Sequence, residues 1–424
     1  MEEKVFEDCI RVLREELRPA LGCTEPIAVA YAAAKARDAL GAMPESVDVS
    51  VSRNIIKNVK SVIVPNTGDL HGLEAATAAG IAAGEADAEL EVLMNVSAEQ
   101  IPDIHAYLAK TPIRVSQADT DELFYIEITA YAGSDSARSV IKTTHTDLVV
   151  LEKNGVSLLK DVKTAEGLAA ESDRSFLSIE CILDFANSVP IEELRSTVGR
   201  QIEYNSAIAE EGLRGDWGGQ VGKLMMEMGR ESVLNRAAAV AAAGSDARMS
   251  GCEMPVIIVS GSGNQGITTS LPVIEYAKDI GAGEEQLYRA LTVANLVTIH
   301  QKTGIGRLSA FCGAISAGVG AACGIAYLEG QGYEVMSATI KNALAITSGM
   351  ICDGAKGSCA AKIATSVTSA LLGYQMAKRG LAFQGGDGIL KDDVEDTIAA
   401  VGTLARKGMQ DTDKEIVEIM LNGE

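Results

Sequence analysis

Residues 308–328, LSAFCGAISAGVGAACGIAYL, form an uncharged run dominated by glycine and alanine. Such a run leaves few folding choices. It must be a helix buried on every side, either spanning a bilayer, for which about 20 apolar residues suffice, or lying at the centre of a tightly packed helical core. Its neighbours decide between these. The stretches KDIGAGEEQLYRAL and KDDVEDTIAA are strongly polar, and no repeated series of spans accompanies them,. The run therefore predicts close packing of small-residue helices in a soluble core, with no membrane partner.

Periodicity organises the rest. ESVDVSVSR and KSVIVP read as strands, TGDLHGLEAATAAGIAAGE as a helix, LEVLMNV as a strand and AEQIPDIHAYLA as a helix,. IRVSQ, LFYIEITAYAG, SARSVIKTTH and DLVVLEKNG then alternate like antiparallel strands separated by turn residues,. From about residue 160 the pattern is helical almost to the end. The expected class is α+β, a lobe with a mixed or antiparallel sheet beside a large all-helical C-terminal lobe. The expected divisions are 45–158 for the first and 159–424 for the second, with the helices of 1–44 packing on the helical lobe.

A formal net charge of −21 argues against nucleic acid and anionic membrane surfaces as partners,. A small substrate must then be caught by local positive groups. MEEKVFEDCIRVLREEL reads as a charged amphipathic helix and not as a signal,. The expected setting is cytoplasmic, where the eight cysteines are thiols or metal ligands in preference to disulfides,. The candidate assembly is a homodimer.

The cysteines carry the chemistry. Cys312, Cys352 and Cys359 lie in the Gly-rich segments SAFCGA and ICDGAKGSCAAK, and Cys23 lies far upstream in ALGCTEP. That layout suggests a three-thiolate iron–sulfur cluster with a separate reactive thiol. A cubane cluster ordinarily takes four cysteine ligands, so three would leave one iron open as a Lewis acid. In a continuous helix Cys352 and Cys359 would stand about 10 Å apart along the axis. The chain between them must bend, and Asp353, Gly354 and Gly357 supply turn residues,. Ser358 is a suitable N-cap for the helix-like run that follows, so Cys359 opens a helix,. Cys323 sits about 16 Å further along its helix than Cys312 and reads as core, as do Cys9, Cys181 and Cys252. Cys23 precedes Thr24, Glu25 and Pro26, an early-helix signature, and a thiol at a helix N-terminus should have a lowered pKa,.

Two loops suit anion capture. Gly261, Gly263 and Gly266 spell a dinucleotide-type G-x-G-x-x-G after PVIIV, but GAGEEQLYRALTVANLVTIHQ reads as another helix where a Rossmann unit needs a second strand,. Instead, Ser260, Gly261, Ser262 and Asn264 are candidates to receive a carboxylate at a helix start, with Asn66 and Thr67 approaching from the other lobe,. His145 and Lys302 are further substrate-binding candidates; His300, Arg307 and Lys356 have less definite roles,.

The segments RPALGCTEPIAVAYAAAKA, VPNTGDLHGLEAA, SGSGNQGI, KTGIGRLSAFCGA and MICDGAKGSCAAK resemble the L-cysteine desulfidase family, relatives of the iron–sulfur L-serine dehydratases, over about residues 10–390. The resemblance implies a PLP-independent lyase that converts L-cysteine to pyruvate, ammonia and sulfide. Its [4Fe-4S] cluster would be held by Cys312, Cys352 and Cys359, with Cys23 as the base for the α-proton. Serine and cysteine differ by one atom, so L-serine dehydration is the sister expectation. The rivals are a PLP enzyme, with Lys356 as the Schiff-base candidate, and a non-catalytic iron–sulfur sensor, for which no DNA-binding basic helix or separate effector domain is present.

Overall fold

A computed structural model describes residues 2–159 and 173–422. The expected start of the helical lobe, at 159, thus falls at the edge of a stretch outside the described residues. Strand β1 (Pro19–Leu21) is short; β2 (Ser46–Val51), β3 (Ile113–Gln117), β4 (Tyr125–Ala132), β5 (Asp135–Lys142), β6 (Leu148–Lys153) and β7 (Val156–Ser157) follow, and β8 (Pro255–Ile257) comes much later. One sheet runs β3-β2-β4-β5-β6-β7, parallel between β2 and β3 and antiparallel elsewhere. The remaining residues are mainly helical, and the class is α+β.

Alternation places Val47, Val49 and Val51 of β2, with Ile126, Ile128 and Ala130 of β4, on a fully buried face,. The alanine-rich helix Thr24–Leu40 covers that face, and Ser139 Oγ donates to Ala32 O across the contact at 2.7 Å. This differs from the expectation that all of 1–44 joins the helical lobe. An alanine helix buried almost all round needs cover on both sides, and the sheet and helix Leu73–Ala83 supply it. Helix Glu3–Glu16 does pack on the helical side, where Phe6 meets Phe185 at 5.3 Å between ring centroids. Between the two helices, β1 pairs with β8, so residue 19 lies opposite residue 257.

Gly80 is the contact point of helices Leu73–Ala83 and Thr24–Leu40, and a Cβ there would collide with Ala30 O. Overpacking of this kind costs on the order of 1–3 kcal/mol. Gly80→Ala is expected to lower the unfolding free energy by that amount, read as a lower denaturant midpoint, and an unchanged midpoint would show that the helices can separate freely.

The uncharged run becomes helix Gly313–Leu328, buried along almost its whole length. Its glycines admit neighbouring backbones: Gly324 faces Ala290 O and Gly318 faces Ser366 O, where Cβ atoms would stand 2.9 and 2.8 Å away. No helix among the described residues is long and apolar enough to cross a membrane. Two expected strands are absent. Residues 60–65 form a turn with one bridge, Ile63 to His71. Residues 86–91 form a 3₁₀ helix that continues into turns through 95. Val62, Val64, Leu90, Val92 and Leu93 are buried in both places, so the apolar pattern is satisfied by loops folded onto the core with no ladder partner.

Candidate active site

An antiparallel bridge between Phe311 and Ile351 brings the two cysteine loops together. Cys312 N donates to Met350 O at 2.8 Å, and Cys352 N donates to Ala310 O at 2.6 Å. The Cys312 and Cys352 thiols therefore adjoin. The pair favours thiolate on Cys352, whose pKa is drawn down by Cys312 and then by Lys57 and Lys362, while that of Cys312 is pushed up. Lys57 is buried and ion-paired to Asp413. Beyond Cys352 the chain bends as expected. Gly354 has φ +93°, and a Cβ there would stand 2.2 Å from Lys57 O, which excludes any side chain,. Cys359 then opens helix Cys359–Ala377, and Ser358 takes the cap position without a side-chain capping bond. Burial pushes the Cys359 thiol up. Cys323 lies fully buried within helix Gly313–Leu328, its thiol pushed up to about 12 by burial.

Cys23, Cys312, Cys352 and Cys359 all line one cavity of about 110 Å³. Cys23 occupies the cap of helix Thr24–Leu40 and is 3% exposed. The expectation of a lowered pKa is corrected here. Burial first, and the Glu25 charge next, push this thiol well up despite Arg248, so the helix terminus is outweighed,. The Cys23 Sγ donates to Glu25 Oε2 at 3.1 Å.

Glu25 is the residue that sequence reasoning missed. It was legible only as an acidic first-turn residue, which a helix dipole explains. In the fold it is 8% exposed. Asn58 Nδ2 donates to its Oε1 at 3.2 Å, and Thr24 Oγ1 stands 3.1 Å from Oε2 and 2.9 Å from Gly261 O. Burial would raise its carboxyl, but His145, Cys23 and its own backbone N–H hold it down at about 2. A buried carboxylate thus remains ionised against the Cys23 thiol. Arg248 was also missed because it sits in an alanine-rich helix without a telling pattern. It is 3% exposed, lines the cavity, and its Nη1 donates to Asn264 Oδ1 at 3.1 Å.

The remaining candidates divide. Ser262, Asn264 and Lys302 line the cavity with the cysteines. Burial lowers the Lys302 pKa to about 8, with Cys352 and Cys312 opposing. Ser260 is buried at φ +49° and, with Gly261, lies outside this wall; the two glycine-loop faces point different ways. Asn66 and Thr67 are not in the cavity either. Asn66 Nδ2 donates to Leu93 O and Thr67 Oγ1 to Val64 O, both at 2.7 Å, which closes the turn whose Pro65 ring packs against Gly22 beside Cys23. His300 pairs with Glu395 at 2.5 Å and Lys356 with Asp353, both away from the cavity wall. Arg307 lines the cavity and donates to buried Glu16 at 2.8 Å.

Among the described residues, no three or more Cys, His, Asp or Glu side chains converge as a single metal ion would require. The three thiols line one cavity, with Lys57, Lys302 and Lys362 as neighbouring cations. That donor set fits an anionic iron–sulfur cluster, whose irons sit at separate corners, better than one ion.

A family model described as serine dehydratase alpha chain matches residues 88–418. The chain is 53% identical to a UPF0597 protein of Desulfitobacterium hafniense (strain Y51) over 99% of this chain and 98% of that one. Similar proteins occur in Lachnoclostridium phytofermentans, at 48% identity over 99% of this chain and 100% of the relative, and in Treponema denticola, at 46% over 99% of each. The family match contains the three loop cysteines, while Cys23 and Glu25 lie before it.

Proposed function

We propose, from the premise that the chain belongs to the serine dehydratase alpha chain family, that it is a PLP-independent carbon–sulfur lyase degrading L-cysteine to pyruvate, ammonia and sulfide. The observation that carries this reading is the convergence of four cysteines on one cavity, three beside lysines and the fourth paired with an ionised glutamate. Cys312, Cys352 and Cys359 would hold a [4Fe-4S] cluster. When bound, that group supplies an open iron as Lewis acid for the substrate's β-substituent.

The protein's own groups account for the rest. Arg248, Ser262 and Asn264, which line the same cavity, receive the substrate carboxylate. Cys23 and Glu25 act together as the base: the Cys23 sulfur takes the α-proton as its own S–H proton passes to the carboxylate over their 3.1 Å contact,. Burial keeps the Cys23 sulfur strongly basic. Elimination yields aminoacrylate, which leaves and hydrolyses in water. Lys302, with its lowered pKa, stands beside the cysteine pair where charge builds on the departing group. The reading carries a cytoplasmic setting, suited to eight reduced cysteines,.

L-Serine dehydration is the second reading, favoured by the description of the matching family. Cys23 favours cysteine, because the desulfidase resemblance puts the base at this position. Holoenzyme assayed anaerobically for pyruvate and sulfide is expected to give a higher kcat/KM with L-cysteine than with L-serine. A preference for serine would transfer the chain to the sister activity, and no turnover of either would leave the sensor expectation in its place.

A further inference from the structure

A second cavity, of about 370 Å³, lies behind the first. Arg307 lines both. The second reaches the surface at Arg18 and Glu89, which are exposed. His145 lines it, and Glu25 lines the first, so the two side chains face each other through the partition with 3.8 Å between His145 Nε2 and Glu25 Oε1.

His145 is 5% exposed and its Nε2 has no hydrogen-bond partner. A buried ring nitrogen without a partner is costly, so its position calls for a use. The ring is held edge-on by Phe124, with centroids 4.7 Å apart. On its other side stands Gly261, at φ +78°, where a Cβ would approach His145 Cε1 to 3.0 Å. The glycine loop therefore leaves room for the imidazole beside Glu25. The gap of 3.8 Å exceeds a hydrogen bond, and such contacts tighten when a reactive complex forms.

We propose that Glu25 and His145 are the route by which the proton taken from substrate leaves the reaction cavity, with His145 as the point of exchange with the second cavity. The proposal rests on Cys23 as the acceptor of the α-proton. The proton moves from the substrate Cα–H bond to the Cys23 sulfur. Glu25, which has taken the Cys23 S–H proton over their 3.1 Å contact, passes it to His145 Nε2, while Nδ1 releases a proton to water in the second cavity. Cys23 is again a thiol and Glu25 a carboxylate, His145 returns to its Nδ1–H tautomer by exchanging its ring protons with water, and no redox partner is needed. Neither residue need touch substrate; both position and carry the proton, and imidazole is the side chain suited to this near neutral pH.

The test uses anaerobic holoenzyme. His145→Ala is expected to keep its iron and sulfide and its KM for L-cysteine, while kcat falls on the order of 100-fold. Free imidazole, small enough for the vacated space, should restore kcat in a saturable way and leave wild type unaffected. His145→Gln, which fills the space without relaying a proton, should show a loss of the same order and no rescue. Wild-type kcat in either variant, or loss in His145→Ala that imidazole does not restore with the cluster intact, overturns the route. If His145→Ala loses its cluster or fails to fold, the kcat of His145→Gln decides. A fully active Cys23→Ala enzyme would remove the parent reading instead, and an inactive Cys23→Ala with normal His145 variants would remove the route alone.

Discussion

Cys23→Ala is expected to retain its iron and sulfide and to bind L-cysteine, yet to lose turnover by about 100- to 10,000-fold, the usual consequence of removing a general base. Exchange of the substrate α-hydrogen with deuterated solvent should fall with it, since both need the same proton acceptor. The side chain is small and nearly buried, packed in a minor cluster with Val62 and Met249, so alanine leaves the helix start in place. Loss of the cluster in this variant would make Cys23 a displaceable fourth ligand and move the base elsewhere. Full activity would make the Cys23–Glu25 pair ordinary structure.

Cys312→Ser, Cys352→Ser and Cys359→Ser are each expected to lose or destabilise the cluster, because hydroxyl is a much poorer iron ligand than thiolate. Iron and acid-labile sulfide per chain, with the visible absorption of anaerobically purified protein, measure the effect. Cys323→Ser should retain the cluster, since that thiol is enclosed by its own helix and neighbours. An intact cluster in two of the first three variants would overturn the ligand assignment.

The sequence was informative where local chemistry sets position. The bend between Cys352 and Cys359 follows from Gly354, and most of the small-residue run 308–328, from Gly313 on, is the closely packed helix its composition predicts, while residues 308–312 form the loop that bridges to Ile351. It was silent where partners arrive from afar. Nothing in TEP separates a glutamate that decorates a helix start from one buried against His145, 120 residues later in the chain by the numbering. Arg248 is masked in the same way, because an alanine helix buried on all sides has no face to read,. Asn66 and Thr67 misled for the opposite reason: a polar turn motif suits a ligand as well as its own backbone, and here the backbone takes both side chains,. The strand-like alternations at 60–65 and 90–96 failed because alternation reports burial, and a ladder also needs a free neighbouring edge,.

The loop between Cys352 and Cys359 rests on the backbone of residue 57, and Cys23 approaches the same cavity from the other end of the chain. On a ribosome these pieces emerge far apart in time. When the amino-terminal sheet is already complete, the last two thiols are still untranslated, and afterwards helix Cys359–Ala377 must dock before the cavity has a wall,. Under the proposed ligand assignment, metal loading would be confined to a polypeptide that has passed helix Cys359–Ala377, and a nascent chain truncated before it would offer a cluster-delivery system no site to fill.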